Sequence, residues 1–177
     1  MAGGCCSPAT WWSPEARGFH AFLDLLEFGS VLALIILNAV YLLNFQQGHC
    51  YLDGYNGLTG DLTVCYSVFW ATVVAAVVGF SVAILQLSTC CFTTIGAFFE
   101  LIGSVVLSVW WFLVAVYWNH AGSEANAQGF PHAGPRLAVM ILPWVVAGAY
   151  VLSGFIATGR FCSMCCYTPT HQTKYQV

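Results

Sequence analysis

From Tyr66 to Leu87 the chain runs for 22 residues without one charged side chain. A helix of that length is about 33 Å long, enough to cross a hydrocarbon core of about 30 Å. Comparable apolar stretches run from Phe28 to about Phe45, from about Ile95 to Trp118 and from about Leu137 to Thr158. Only scattered polar residues interrupt them: Asn38 and Asn44 in the first, Glu100 near the start of the third, with Pro143 inside the fourth. Residues Gly18 to Glu27 mix apolar positions with His20, Asp24 and Glu27, an amphipathic entry to the first helix. Spanning strands of a barrel would alternate polar and apolar residues, and these runs do not. The expected fold class is all-α and integral to a membrane, an antiparallel four-helix transmembrane bundle. Its helices are expected at about 19–45, 66–87, 95–118 and 137–158, within a membrane domain of residues 19–161. Residues 1–18 and 162–177 form the tails, and Asn119 to Arg136 reads as a loop of about 18 residues.

Composition agrees. Charged residues make up 6% of the chain and mean hydropathy is +0.78, against roughly 25% charged in a soluble domain. With four basic residues and a net charge of −3, nucleic-acid binding has no electrostatic basis. Met1 to Thr10 lacks a basic n-region and no small-residue cleavage site follows the first apolar stretch, so that stretch reads as a retained helix. Ala2 occupies the position where N-myristoylation needs glycine.

An even number of spans places both tails and the short Leu87–Thr94 connection on one side. Arg17, Arg160 and Lys174 lie on that side and Arg136 on the other, which favours cytosolic tails. The nine cysteines divide the same way. Cys5, Cys6, Cys90, Cys91, Cys162, Cys165 and Cys166 lie near predicted boundaries on the tail side, and Cys50 and Cys65 bracket the opposite loop. Disulfides persist in oxidising compartments and thiols in the cytosol. Both termini are therefore expected in the cytosol, with Cys50 and Cys65 paired across a 16-residue loop, worth about 3 kcal/mol in the chain-entropy model. The seven tail-side cysteines are candidates for S-palmitoylation. The alternative is that several are simply small apolar residues at helix ends. Zinc held by Cys162, Cys165, Cys166 and the Cys90-Cys91 pair has only loose spacing to support it, and no metal site is expected.

Asp24, Glu27 and Glu100 fall at one depth on the tail side. Ionisable residues inside spans carry a functional hypothesis by default, here a cation or proton site. Interfacial anchoring and hydrogen bonding between helices is the preferred reading, with Arg160 or Arg17 as a partner for Glu100. No charge stands at mid-depth, which argues against a charge-lined pore or proton-coupled transport. Small residues recur every four positions at Ala71, Ala75, Gly79 and Ala83, and at Ala149, Ser153 and Ala157. Such stripes let helices approach closely, and packing within the bundle is preferred over a dimer face. No HExxH, GxSxG, P-loop or DHHC motif is present, so no enzymatic activity and no catalytic residue is expected. His49, His120 and His132 with Asp53 and Asp61 could gather around a metal only by chance of loop position. There is no Asn-x-Ser/Thr acceptor, and Tyr175-Gln176-Val177 could add as a strand to a PDZ-type groove. Covalent palmitate and a bound lipid or sterol are the only non-protein groups the chain suggests.

Several short pieces resemble the MARVEL-domain tetraspan proteins, most closely the synaptogyrin/synaptophysin branch. They are Cys50 with Cys65-Tyr66 opening the second helix, Glu100-Leu101-Ile102-Gly103 with Trp110-Trp111-Phe112-Leu113 and Trp118 in the third, and Arg136 opening the fourth. Asp24-Leu25-Leu26-Glu27-Phe28-Gly29 is similar to the start of helix one in the MAL branch. The claudin first-loop pattern and the large cysteine-rich second loop of tetraspanins are absent. The resemblance implies a non-enzymatic multi-pass protein of vesicle or plasma membrane that organises or sorts membrane domains by lateral association. Its expected partners are lipid, further copies of the chain or other membrane proteins. The alternatives are an accessory subunit of a channel, receptor or extracellular-fibre complex, then a small channel or transporter.

Overall fold

A computed structural model describes residues 14–44, 46–54, 58, 61–88 and 93–166. Within them, the side chains of residues 14–17, 20, 83, 85–88, 93–95, 97, 160, 161 and 163–166 are outside the description. Four helices are long and apolar enough to cross a membrane: α1 (Pro14–Leu37), α2 (Thr63–Ser88), α3 (Thr93–Ala127) and α4 (Ala133–Cys166). Pro14 suits the first position of α1, where its missing N–H is an orphan donor in any case.

The last turn of α1 widens into a π-helix, Asn38–Leu42. Asn38 is buried there and its Nδ2 donates to the Cys65 carbonyl at 2.9 Å. The chain then leaves helical geometry at Leu43, so the first helix ends before Phe45. A two-residue antiparallel hairpin follows, with β1 (Leu43–Asn44) and β2 (His49–Cys50) in register Leu43 to Cys50. Gly48, at φ 67°, makes the turn. The Cys50–Cys65 disulfide is formed and joins the end of the hairpin to the first turn of α2.

The segment read as an 18-residue loop is mostly helix. α3 continues to Ala127 and α4 begins at Ala133; Asn119 to Ala127 contains no proline and three alanines, the best helix former, at 121, 125 and 127. The helix stops at Gly129, φ 71°. Phe130 N–H donates to the Ala125 carbonyl at 3.1 Å and Gly129 N–H to that of Asn126 at 3.0 Å, the Schellman pairing that satisfies terminal carbonyls.

α3 and α4 form the most extensive contact, α1 lies against α4, α2 against α3, and α1 touches α2 only lightly. Trp111 and Trp118 stand in the core with their rings edge-on, centroids 6.4 Å apart. Trp118, at the end of the third apolar stretch, is 1% exposed, its indole N–H donating to Ser67 Oγ at 3.0 Å. Ala71, Ala75, Ala149, Ser153 and Ala157 are all buried within the protein, and Trp110 Nε1 reaches the Ala71 carbonyl at 3.3 Å past that small side chain.

Candidate functional site

Among the described residues, two gatherings of polar side chains stand out within this apolar chain. The first is a clamp built on Arg136, in the first turn of α4. The side chain is fully buried, and its guanidinium donates to three separate segments. Nε reaches Asn126 Oδ1 on α3 at 2.7 Å; Nη1 reaches the Tyr51 carbonyl after β2 at 2.6 Å and that of Pro131 at 3.2 Å; Nη2 reaches the Phe130 carbonyl at 2.8 Å. One planar fork thereby ties the disulfide hairpin to the α3–α4 turn. Two glycines make room for it. A Cβ on Gly122 would stand 2.6 Å from Met140 Sδ, and one on Gly54 would run into the Glu124–Ala125 backbone.

Beside the clamp, the His132 ring lies 5.5 Å from the Tyr51 ring and 6.1 Å from the Tyr41 ring, and His49 lies 6.1 Å from Tyr51. His132 holds a left-handed backbone at φ 64°. The histidines therefore meet tyrosines, while His120 is exposed on α3. Among the described residues no three His, Cys, Asp or Glu side chains are placed to hold a metal ion.

The second place is a cavity of about 270 Å³ to which every helix contributes. Asp24 and Glu27 enter from α1, Glu100 and Ser104 from α3, Tyr150 and Ser153 from α4, and α2 supplies Gly79 and Val82. Spacing explains the convergence: Glu100 and Ser104 are one turn apart on α3, as are Tyr150 and Ser153 on α4. Glu27 accepts a hydrogen bond from Ser153 Oγ at 3.5 Å and another from the Tyr150 hydroxyl, so it fastens α1 to α4. Glu100 and Ser104 are buried, each 7% exposed, and Asp24 is exposed. Gly103 sets the wall between α2 and α3, where a Cβ would come 2.8 Å from Val82 Cγ2. The deepest lining residues, Leu107 and Tyr150, stand nine residues from the ends of their apolar segments at Phe98 and Gly159. That is about 14 Å, close to half of a hydrocarbon core of about 30 Å.

The three acids singled out from sequence thus share one cavity, together with Ser153 and Gly79 from the small-residue stripes. Tyr150, Ser104 and Gly103 were not anticipated there, nor Asn126, Gly54 and Gly122 at the clamp. Two polar residues one turn apart within an apolar run, as at 150 and 153, are the signal that could have found the α4 side. Cys162 is an exposed free thiol. Cys165 and Cys166 lie in α4 with side chains outside the description, as is that of Ala83, and Cys5, Cys6, Cys90, Cys91 and Tyr175–Val177 lie outside the described residues.

No family model, curated protein or solved structure matches the chain. What the described residues themselves show is four helices long and apolar enough to cross a membrane, a polar cavity between them and an arginine clamp at one end.

Proposed function

We propose that this chain spans a vesicle or plasma membrane as an antiparallel four-helix bundle with cytosolic tails, and organises membrane domains through lateral association without catalysing a reaction. The observation that carries the membrane reading is an inverted distribution of polarity. Phe28, Phe80, Leu113 and Phe155 on the four helices are 59–71% exposed, while Arg136, Glu100 and Ser153 are buried. A water-soluble protein buries the first set and exposes the second; a bilayer accepts the reverse. The organising role draws its support from the resemblance to MARVEL-domain proteins in the cysteine-bracketed loop and the Glu100-Leu101-Ile102-Gly103 and Trp110-Trp111 pieces.

Lipid anchoring belongs to this reading. α4 continues beyond its apolar segment, which ends at Gly159, as far as Cys166. Positions 162, 165 and 166 then share one face of that extension by their i, i+3, i+4 spacing, within about 11 Å of Gly159 along the axis. Attack of a cysteine thiolate on a long-chain acyl-coenzyme A thioester would form the protein thioester and release coenzyme A thiol.

Purification in mild detergent tests the role. An organiser is expected to run as a homo-oligomer or with several membrane proteins. A single partner in fixed stoichiometry would instead establish an accessory subunit. Hydroxylamine-sensitive acyl masses on the tail cysteines are expected alongside, and unmodified thiols at all seven would refute the anchoring mechanism.

A further inference from the structure

We infer that the π-turn ending α1, the hairpin after it and the Cys50–Cys65 bridge form one closed ring, and that the redox state of the bridge sets how α1 ends and which side chains it shows there.

The π-turn is the first observation. Such turns are rare, and their hydrogen bonds reach one residue further back than those of an α-helix. Leu43 N–H donates to the Asn38 carbonyl, and Leu43 itself is extended. Local sequence does not demand this. Residues Asn38 to Asn44 contain no glycine or proline, so by propensity an α-helix continues through them.

Asn38 is the second observation. Its Oδ1 is buried and has no hydrogen-bond partner among the described residues. A buried acceptor left unpaired is unfavourable, and local arrangements of this kind persist where the surroundings impose them.

The surroundings here are a chain of links that closes on itself. Asn38 Nδ2 donates to the Cys65 carbonyl at 2.9 Å. Cys65 is bonded to Cys50, and Cys50 pairs with Leu43 across the hairpin. Tyr51 N–H donates to the Leu42 carbonyl at 2.8 Å, and Cys65 Sγ lies 3.6 Å from that same oxygen. The π-turn spans the gap from Asn38 to Leu43 and completes the ring.

Thiol–disulfide exchange with a dithiol opens this ring at its covalent link. The reductant's thiolate attacks one sulfur, forming a mixed disulfide and releasing the other cysteine, which takes up a proton. The reductant's second thiol then displaces the first cysteine. Cys50 and Cys65 end as thiols, and the dithiol ends as its own disulfide. Both cysteines are buried, so attack waits for the hairpin to lift, which the Arg136 hold on the Tyr51 carbonyl opposes.

With the ring open, α geometry continues through Leu43 and Asn44, and the side chains beyond Asn38 turn about the helix axis. Leu42 leaves its buried place, and Tyr41 leaves the His132 ring beside the clamp. The state of the bridge is thus displayed at the rim by Val40 and Tyr41, both exposed.

Solution NMR of the detergent-purified chain, oxidised and then reduced with dithiothreitol, tests this through the backbone Cα shifts of Leu43 and Asn44. Extended values are expected in the oxidised chain, helical values after reduction, and extended values again on reoxidation. Extended values in both states overturn the inference. Should reduction unfold the chain, Asn38→Leu decides, because it cuts the same ring with the bridge intact: helical values at Leu43 and Asn44 support the ring, and extended values overturn it. Ser67→Ala, which removes the Trp118 bond at the same end of the bundle, should keep the extended values. Helical values there would show that any loosening releases the turn, and would overturn the ring as its cause.

Discussion

Replacing Arg136 by methionine should loosen one whole end of the protein. The side chains are similar in length, so packing volume is nearly kept and the loss isolates the guanidinium. Four hydrogen bonds go with it, three to the carbonyls of Tyr51, Phe130 and Pro131 and one to Asn126 Oδ1. The carbonyls are backbone groups and cannot be removed in compensation, so the substitution leaves buried acceptors unpaired at about 1–3 kcal/mol each. Water at the end of the bundle recovers part of this, leaving a net loss of about 3–5 kcal/mol, comparable to breaking a buried charged network. For a domain of this size that corresponds to a melting temperature lower by roughly 10 °C, measurable by thermal unfolding in detergent. A local readout accompanies it. The Cys50–Cys65 bridge is fully buried, and release of Tyr51 should expose it, so mild reductant should open the disulfide faster in Arg136→Met. Arg136→Lys should recover only part of the stability, because a point charge cannot reach three segments at once. A melting temperature within about 2 °C of the parent, a change below about 1 kcal/mol, with unchanged reduction kinetics, would refute the clamp.

Other expectations follow from the same geometry. Gly54→Ala should cost about 1–3 kcal/mol, because its Cβ enters the Glu124–Ala125 backbone and the hairpin must shift; an unchanged melting temperature would contradict that close approach. Replacing Cys50 and Cys65 together by serine should remove about 3 kcal/mol for the 16-residue loop they close, read as a lower unfolding midpoint than that of the oxidised parent. At the start of α2, the Thr63 hydroxyl and its N–H, which donates to Asp61 Oδ1 at 2.9 Å, hold the Asp61 carboxyl below its ordinary range. A depressed folded-state pKa means that this contribution is present above the ordinary aspartate value and is lost as pH falls through the depressed one. Protection of the amides in the first turn of α2, measured relative to their intrinsic exchange rates, should therefore fall on acidification, and Asp61→Ala should abolish that fall.

The four apolar segments were legible because hydropathy is local: a helix in hydrocarbon must be apolar over about 20 residues whatever its neighbours do. Pairing of Cys50 with Cys65 was legible because the two stand apart from the other seven cysteines along the chain. The ends of helices were not. α3 runs on past Trp118 through residues too polar for a hydropathy window, although Gly129 followed by Pro131 is a recognisable stop signal. α1 stops short of Phe45 because buried Asn38 turns to the Cys65 carbonyl, a contact 27 residues distant in sequence.

Sequence alone determined that the chain forms four long apolar helices and that Asp24, Glu27 and Glu100 stand towards the ends of the apolar runs. Only the tertiary structure decided what the polar residues do. Arg136 reads in sequence as one positive charge opposing three; in three dimensions it joins a hairpin 85 residues away to the α3–α4 turn. Asp24, Glu27 and Glu100 read as three acids at one depth, and helix packing brings them to one cavity with Tyr150, Ser153 and Ser104. The reason is physical. Hydropathy belongs to each segment separately, whereas a hydrogen bond needs two groups within about 3 Å, and that distance is set by how helices distant in sequence are rotated against one another.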